Sequence, residues 1–79
     1  MEYNKDKVDE VTLALMWLVL HSDNVNTRAW KSFDWETMNR LHEKGLISDP
    51  KSKSKSVVLS EEAVKLCEEL FQKHFKEVD

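Results

Sequence analysis

The chain has 79 residues, of which 41% are apolar and 34% charged, and its net charge at pH 7 is -3. A chain of this length is one domain with a small core, because it buries only about 60 to 65% of the surface that its unfolded form exposes. The composition excludes a disordered tail, and the longest apolar run, at residues 11–20, is about half as long as a membrane-spanning helix. We therefore predict a single globular domain over residues 1–79 and no membrane contact.

Cysteine use and the first ten residues bear on the cellular compartment. The single cysteine, Cys67, excludes an internal disulfide and fits a reducing cytoplasm. Residues 1–10 mix acidic and basic side chains and lack the basic start of a secretory signal. We expect a cytoplasmic protein.

Positive charge is concentrated in the middle of the chain. Residues 28–56 hold seven basic and four acidic side chains, whereas acidic side chains outnumber basic ones by three in residues 1–27 and again in residues 57–79. Such a basic middle is able to present one positive face to an anionic partner, although an excess of three is less than a dedicated nucleic-acid binder carries.

The first predicted helix spans residues 6–21. Asn4 or Asp6 is suited to cap its start by accepting a hydrogen bond from a backbone N–H. Apolar residues recur at helical spacing and predict the stripe that faces the core. The stripe is Val8, Val11, Leu15, Leu18 and Val19, widened by Ala14, Trp17 and Leu20.

Residues 22–32 break this pattern, and their Ser, Asp and Asn residues indicate a loop. Within the loop Thr27 is suited to cap one helical turn over residues 28–31. This turn bears on the fold, because a helix-turn-helix needs a positioning helix before its recognition helix. Trp30 lies in the same loop beside basic residues, and we expect it to be either a lid over the core or an exposed anchor for a partner.

The second predicted helix spans residues 34–44. Asp34 is a suitable N-cap, and Phe33 is placed to contact Met38 in a hydrophobic staple. Gly45 supplies the left-handed residue that commonly ends a helix.

The two faces of this helix carry different predictions. Its outer face holds Asn39 and Arg40, and pairing of Arg with guanine or Asn with adenine is the usual chemistry of a helix in the major groove. The alternative is a solvated face on which Arg40 pairs with Glu36. Three residues are predicted to face the core: Trp35, Met38 and Leu41.

Two short strands, residues 46–48 and 57–59, are predicted to pair as a hairpin. The segment between them reads KSKSK, and in an extended ribbon this alternation places all three lysines on one side. Such a hairpin, called a wing in DNA-binding proteins, is able to contact a phosphate backbone, with Arg28 and Lys31 nearby. A solubilising tip that discourages edge-to-edge pairing explains the lysines equally well. A third helix follows, with Ser60 as its N-cap.

Two resemblances extend this interpretation. The segments LHEKGLISDP and SVVLSEEAVKL resemble the recognition-helix end, wing and following helix of winged-helix regulators of the MarR and PadR type. Over nearly the whole chain, including VDEVTLALMWLVLH and RAWKSFDW, the sequence is similar to a small bacterial family of domains of unknown function. The first resemblance implies a winged-helix-like fold and DNA binding, and the second implies no activity. The residues that carry the first are Leu41, Gly45, Leu46, Ile47, Leu59, Ser60 and Glu61.

Residues with metal-binding or nucleophilic side chains show no catalytic pattern. Cys67 and His74 are seven residues apart on one predicted helix, with Cys67 on its core face, which is unsuited to a Cys–His nucleophile. We expect no metal site, no cofactor and no enzymatic activity. The metal-ligand candidates, none of them at the close spacing of a known motif, are His21, Asp23, His42, Cys67 and His74.

The predicted fold is α+β and mostly α: a winged-helix-like domain of three helices and a two-stranded β-hairpin, the wing. Two functions are compatible with it. The first is duplex DNA binding or transcriptional regulation through helix 34–44 and the wing. The second is a protein-interaction module that has lost DNA reading, which binds itself as a homodimer or another protein, with Trp30 as a contact. The acids Asp34 and Glu36 favour the second, because they repel phosphates. The predicted nucleic-acid contacts are Arg28, Lys31, Asn39, Arg40, Lys51, Lys53 and Lys55.

Overall fold

The structure is a computed structural model that describes residues 1–77. The strands of the described chain form one antiparallel sheet in the order β1-β2-β3, and helices hold about half of the residues. The predicted α+β class is confirmed, and the arrangement is consistent with a winged-helix-like fold. The elements are α1 (Lys5–Met16), β1 (His21–Ser22), β2 (Thr27–Trp30), α2 (Trp35–Glu43), β3 (Ser56–Val58) and α3 (Glu61–Phe75).

Helix α1 starts as predicted and ends earlier. The side chain of Asn4 accepts a hydrogen bond from the backbone N–H of Lys7 at 3.0 Å, so Asn4 is the N-cap. After Met16 the chain makes a 3₁₀ turn, Trp17–Val19, and then extends into β1. The prediction of a helix to residue 21 is wrong because the residues of β1 pair with β2 in a hairpin, which the apolar periodicity does not reveal.

The core-facing stripe predicted for α1 is also wrong in part. Leu13, Ala14 and Met16 are buried, whereas Leu15 is 39% exposed and Leu18 66% exposed. The second half of the helix is apolar on every side, so its periodicity does not identify the inner face. Trp17, Val19 and Leu20 pack against the core as predicted.

Residues 27–30 form strand β2 and not the predicted helical turn. Ala29 is fully buried, while Trp30 is 51% exposed, an alternation that fits a strand. The register pairs Ala29 with Val57 and Trp30 with Ser56 of β3. Because β2 occupies the place of a positioning helix, α2 follows a strand directly.

Both ends of α2 are confirmed. Asp34 accepts a hydrogen bond from the backbone N–H of Thr37 at 3.1 Å. Gly45 has a φ of 75°, and its N–H donates to the carbonyl of His42 at 2.9 Å, as in a Schellman motif. Met38 is buried as predicted.

The prediction that Trp35 faces the core is wrong, because its side chain is 51% exposed at the first position of α2. The inward position in that turn belongs to Thr37, which is fully buried. An aromatic residue at helical spacing was therefore an unreliable sign of the core at the end of a short helix.

The predicted hairpin is present and belongs to a larger sheet. Ile47 and Leu59 form an antiparallel bridge, and the N–H of Ser48 donates to the carbonyl of Val58 at 2.9 Å. Strand β2 occupies the other edge of β3, so β3 lies between β2 and the segment at residues 46–48. The lysine-rich segment is not extended as predicted but forms turns and bends over residues 50–55, which we call the lysine loop.

Helix α3 begins after Ser60, whose side chain accepts a hydrogen bond from the N–H of Ala63 at 3.1 Å. It packs against α1 and completes one core. In the described part of the chain no helix is long and apolar enough to cross a membrane. The buried core residues are Leu13, Met16, Ala29, Met38, Leu41, Leu46, Ile47, Val57, Leu59, Ala63 and Cys67.

Candidate interaction surfaces

The basic side chains of α2 are directed at a buried carboxylate of α1. Asp9 has a side chain that is 3% exposed, and its Oδ1 lies 2.8 Å from Nη2 of Arg40. Its Oδ2 lies 2.8 Å from Nζ of Lys44. We call these three residues the Asp9 cluster. The predicted outward direction of Arg40 and its pairing with Glu36 are wrong, because one edge of its guanidinium, Nε and Nη2, is directed at Oδ1 of Asp9, 31 positions away.

The ionisation of Asp9 follows from this geometry. Burial by itself raises the pKa of Asp9, but the hydrogen bonds and charges of Arg40 and Lys44 outweigh burial and hold the pKa below its ordinary value. The hydrogen bond between Arg40 and Asp9 also raises the pKa of Arg40. Asp9 is therefore ionised at neutral pH, and the cluster joins α1 to α2.

Thr37 connects the Asp9 cluster to the N-cap of α2. Nη2 of Arg40 donates to Oγ1 of Thr37 at 3.0 Å, and Oγ1 of Thr37 donates to Oδ2 of Asp34 at 2.7 Å. The hydrogen bonds that Asp34 accepts from the hydroxyl and the backbone N–H of Thr37 lower the pKa of Asp34. On the other side of α2, Glu36 and Glu43 are exposed and Asn39 is partly buried. The face predicted to read DNA thus carries acids, and the cations of α2 are already ion-paired.

Two basic residues shape the lysine loop: Arg28 in strand β2 and Lys31 directly after it. Nζ of Lys31 donates to the carbonyls of Pro50 at 2.9 Å and Ser52 at 2.6 Å. Arg28 donates from Nε to Oγ of Ser56 at 2.7 Å and from Nη2 to Oγ of Ser54 at 3.1 Å. The hydrogen bonds of Arg28 and Lys31 support the loop, and their role as phosphate contacts stays a prediction.

The three lysines of the loop, unlike Arg28 and Lys31, are exposed to solvent. Lys51, Lys53 and Lys55 are exposed, and none of them forms an ion pair with another described residue. Asp49, the nearest acid along the chain, accepts a hydrogen bond from the backbone N–H of Lys51 at 2.9 Å. The loop therefore carries three exposed lysines without an ion pair among the described residues, of which Lys51 lines a groove with Glu43 and Asp49.

Trp30 lies next to this loop on the sheet. It is 51% exposed, as one of the two predictions for it required, and its ring centroid is 5.0 Å from that of His21. The N–H of Lys31 donates to the carbonyl of Lys55 at 3.2 Å, so the end of the loop runs beside Trp30.

The outer face of α1 is apolar, and the sequence interpretation missed it by assigning its residues to the core. We call Val8, Val11, Leu15 and Leu18 the α1 stripe. Val8 and Val11 are partly buried and, with Tyr3 and Lys7, line a shallow groove at the start of the helix. A sign was present in the sequence, because Asp9 lies on the side of the helix away from Val11 and Leu18 and marks a polar contact there.

Residues with catalytic or metal-binding side chains lie apart. Across residues 1–77 no three His, Cys, Asp or Glu side chains are grouped as metal ligands would be. Burial raises the pKa of the Cys67 thiol to about 12, so the thiolate needed for nucleophilic chemistry is scarce at neutral pH. Nε2 of His74 is turned towards Glu10 of α1, at 4.0 Å from Oε2.

Comparison with known proteins places the chain in a family. Residues 4–77 match a family described as a domain of unknown function, DUF6429. A relative from Sinorhizobium fredii (strain NBRC 101917 / NGR234), named uncharacterized protein y4hR, is 53% identical over 75 residues, which are 95% of this chain and 97% of that protein. No solved structure matches the chain. The similarity to MarR- and PadR-type regulators stays a prediction, whereas the resemblance to a small bacterial family is confirmed: the chain belongs to the DUF6429 family of domains of unknown function.

Proposed function

We propose that the protein is a self-associating interaction module, in which the α1 stripe pairs with the same stripe of a second copy. The observation that carries this proposal is the exposure of the stripe in the monomer, where Leu18 is 66% and Leu15 39% exposed. Large apolar side chains grouped on one face of a helix are typical of contact surfaces.

The spacing of the stripe favours another helix as its occupant. Its residues are three, four and three positions apart, which is the a and d spacing of helices that pack side by side. Because the same face is present on every copy, a two-fold axis across the helix makes the stripe complementary to itself.

Charge favours an antiparallel pairing of the two helices. Lys7 borders the groove at the N-terminal end of the stripe, and the last turn of α1 holds no basic residue. In an antiparallel pair, Lys7 of each protomer lies beside the C-terminal end of the other helix, where the helix dipole attracts cations. Val8 then faces Leu18 of the second copy, and Val11 faces Leu15.

The energy of the contact is modest. Burying the exposed parts of Leu15 and Leu18 on both protomers contributes about 4 kcal/mol, and a micromolar dissociation constant requires about 8 kcal/mol. Tyr3, which is 49% exposed, and the two valines supply further apolar area. The entropy lost on association offsets part of this gain, so we expect a weak dimer, with a dissociation constant in the micromolar range or above, that supplements the small core of each protomer.

Duplex DNA binding through α2 is the less favoured function. Its motivation was a basic outer face, but Arg40 and Lys44 are bound to Asp9, while Glu36 and Glu43 are exposed. Acids at this position repel the phosphate backbone. With β2 in place of a positioning helix, α2 also lacks the support that a helix-turn-helix provides.

The molecular mass in solution tests self-association. We expect light scattering to show a monomer–dimer equilibrium in wild type between about 5 and 500 µM, in the range that this contact energy predicts. The change Leu18→Glu places a charge in each half of the contact and should leave the protein monomeric. Val25→Glu is the matched control, because Val25 is 87% exposed in the turn between β1 and β2 and remote from α1.

Two results would contradict the proposal. One is a wild-type mass that stays monomeric at every concentration. The other is dissociation by Val25→Glu equal to that by Leu18→Glu. Circular dichroism on both variants ensures that the folded proteins are compared.

A further inference from the structure

We propose that the outer face of the sheet and the lysine loop together bind single-stranded nucleic acid, with Trp30 stacking on a base and the loop lysines contacting phosphates. This surface is separate from the α1 stripe. It differs from the duplex-binding prediction in its residues, because neither Asn39 nor Arg40 of α2 takes part.

The sheet has one covered face and one open face. Ala29 of β2 and its partner Val57 of β3 are fully buried among the core residues supplied by the helices. Side chains alternate along a strand, so Arg28 and Trp30 point away from the helices. His21, the partner of Arg28 in β1, belongs to the same outer face.

Trp30 gives this face an aromatic platform. Half of its side chain is exposed, and the contact with His21, at an angle of 34° between the ring planes, holds the indole on the sheet. Every base has a flat π face, and stacking on an exposed aromatic side chain is the usual sequence-tolerant way in which sheet surfaces bind unpaired bases.

The lysine loop supplies the complementary charge. Trp30 pairs with Ser56, and the residue before Ser56 is Lys55, so the loop rises from the strand beside the indole. Lys31 and Arg28 hold the loop through its carbonyls and hydroxyls, and the ammonium groups of Lys51 and Lys53 are left to solvent. Exposed cations on a shaped loop, whose last lysine, Lys55, lies beside the strand that carries the indole, match a phosphodiester chain with a base turned out of it.

The aromatic platform distinguishes a single strand from two other anionic ligands, duplex DNA and an acidic peptide. In a duplex each base is already stacked between its neighbours, so duplex DNA engages the lysines without Trp30. An acidic peptide offers carboxylates to the lysines but lacks a base to lie on the indole. A contribution from Trp30 together with the lysines is therefore specific to single strands.

Binding of a fluorescently labelled oligothymidine of 20 nucleotides, followed by anisotropy, tests the role of charge. Changing Lys51, Lys53 and Lys55 to Gln should weaken binding at least tenfold at low salt. It should also lower the slope of log affinity against log salt by about 2, because each phosphate contact on a single strand contributes about 0.7. The control removes three exposed lysines elsewhere, with Gln at Lys5, Lys65 and Lys76.

The tryptophan variants test the role of stacking. We expect Trp30→Ala to weaken binding of the oligothymidine by about tenfold and to leave binding of a duplex of equal length unchanged. Trp35→Ala is the matched control, because Trp35 is also 51% exposed but lies between Asp34 and Glu36. It should have no effect.

Several outcomes would overturn the inference. The first is that the wild-type protein does not bind the oligothymidine at about 20 mM salt, where the phosphate contribution is strongest. The second is that a duplex is bound as tightly as the single strand. The third is that Trp30→Ala and Trp35→Ala weaken binding equally. Loss in the control triple equal to that in the loop triple would show that only net charge matters, which also contradicts a defined site.

Discussion

The basic side chains of α2 and those of the lysine loop come from the same basic third of the sequence, but their surroundings are opposite. Arg40 has a side chain that is 20% exposed and is bound to a carboxylate that is 3% exposed. The loop lysines are exposed and have no ion pair with a described residue. A positive segment in a sequence is therefore not yet a positive surface, because a buried acid supplied by another element, here Asp9, can pair with some of its cations.

Removal of the acid in the Asp9 cluster should have the largest effect. We expect Asp9→Asn to lower the free energy of unfolding by about 2 kcal/mol, because it leaves Arg40 partly buried without its counter-ion. The full cost of breaking a buried pair is not reached, since Lys44 is 45% exposed and retains water. Urea unfolding measures the change. Asp6→Asn is the control: Asp6 is 95% exposed, and an unchanged midpoint is expected. Equal losses in the two variants would contradict the special role of Asp9.

The same acid predicts a dependence of stability on pH. The pKa of Asp9 is lower in the folded protein than its ordinary value of 3.8. Its contribution is therefore fully present well above pH 3.8 and is lost as the pH falls through the lower folded pKa. The difference in unfolding free energy between wild type and Asp9→Asn should be constant above about pH 5 and shrink in acid. A difference that does not change down to about pH 2 would contradict this assignment.

Gly45 tests the left-handed backbone at the end of α2. With a φ of 75° and no atom within 4 Å of an added Cβ, Gly45→Ala should cost about 1.5 kcal/mol through backbone strain alone. Gly45→Asn should cost less in the same urea unfolding experiment, because Asn tolerates the left-handed conformation better. An Asn variant less stable than the Ala variant would exclude this explanation.

Lys31 tests the support of the lysine loop. Replacing it with Met keeps the aliphatic stem and removes two hydrogen bonds to loop carbonyls, and we expect a loss of about 1 kcal/mol in unfolding free energy. Lys53→Met is the control and should have little effect on stability. If the two changes were equivalent, the loop would not depend on β2 for its shape.

The loop lysines should give the smallest effect on stability. Changing Lys51, Lys53 and Lys55 to Gln should alter the unfolding free energy by less than about 0.5 kcal/mol, because these side chains are exposed and unpaired among the described residues. A gain in stability would indicate that the three charges repel one another in the folded loop. A loss above about 1 kcal/mol would contradict the contrast with the Asp9 cluster.

Local chemistry made the ends of the helices predictable. Asp34, Ser60 and Gly45 act within three or four residues of themselves, so the sequence contains all that their roles require. The class of fold followed from these ends together with the paired segments at residues 46–48 and 57–59.

Contacts between distant segments were not predictable in the same way. Strand β2 has four residues, and its extended form depends on pairing with β3 about 30 positions later. The Asp9 cluster joins residues 31 and 35 positions apart. A partial signal did exist, since Arg40 and Lys44 are spaced to share one helix face, but only packing brings them to Asp9.

The burial of Cys67 has a practical consequence for measuring the proposed dimer. The chain has one cysteine, and in the folded protein its thiol is shielded and its pKa is raised to about 12. A cysteine introduced at Glu43, which is exposed on α2, would therefore react with a spin label or fluorophore while Cys67 stays unlabelled. Distances between two such labels would then report the orientation of the protomers without any change to the native core.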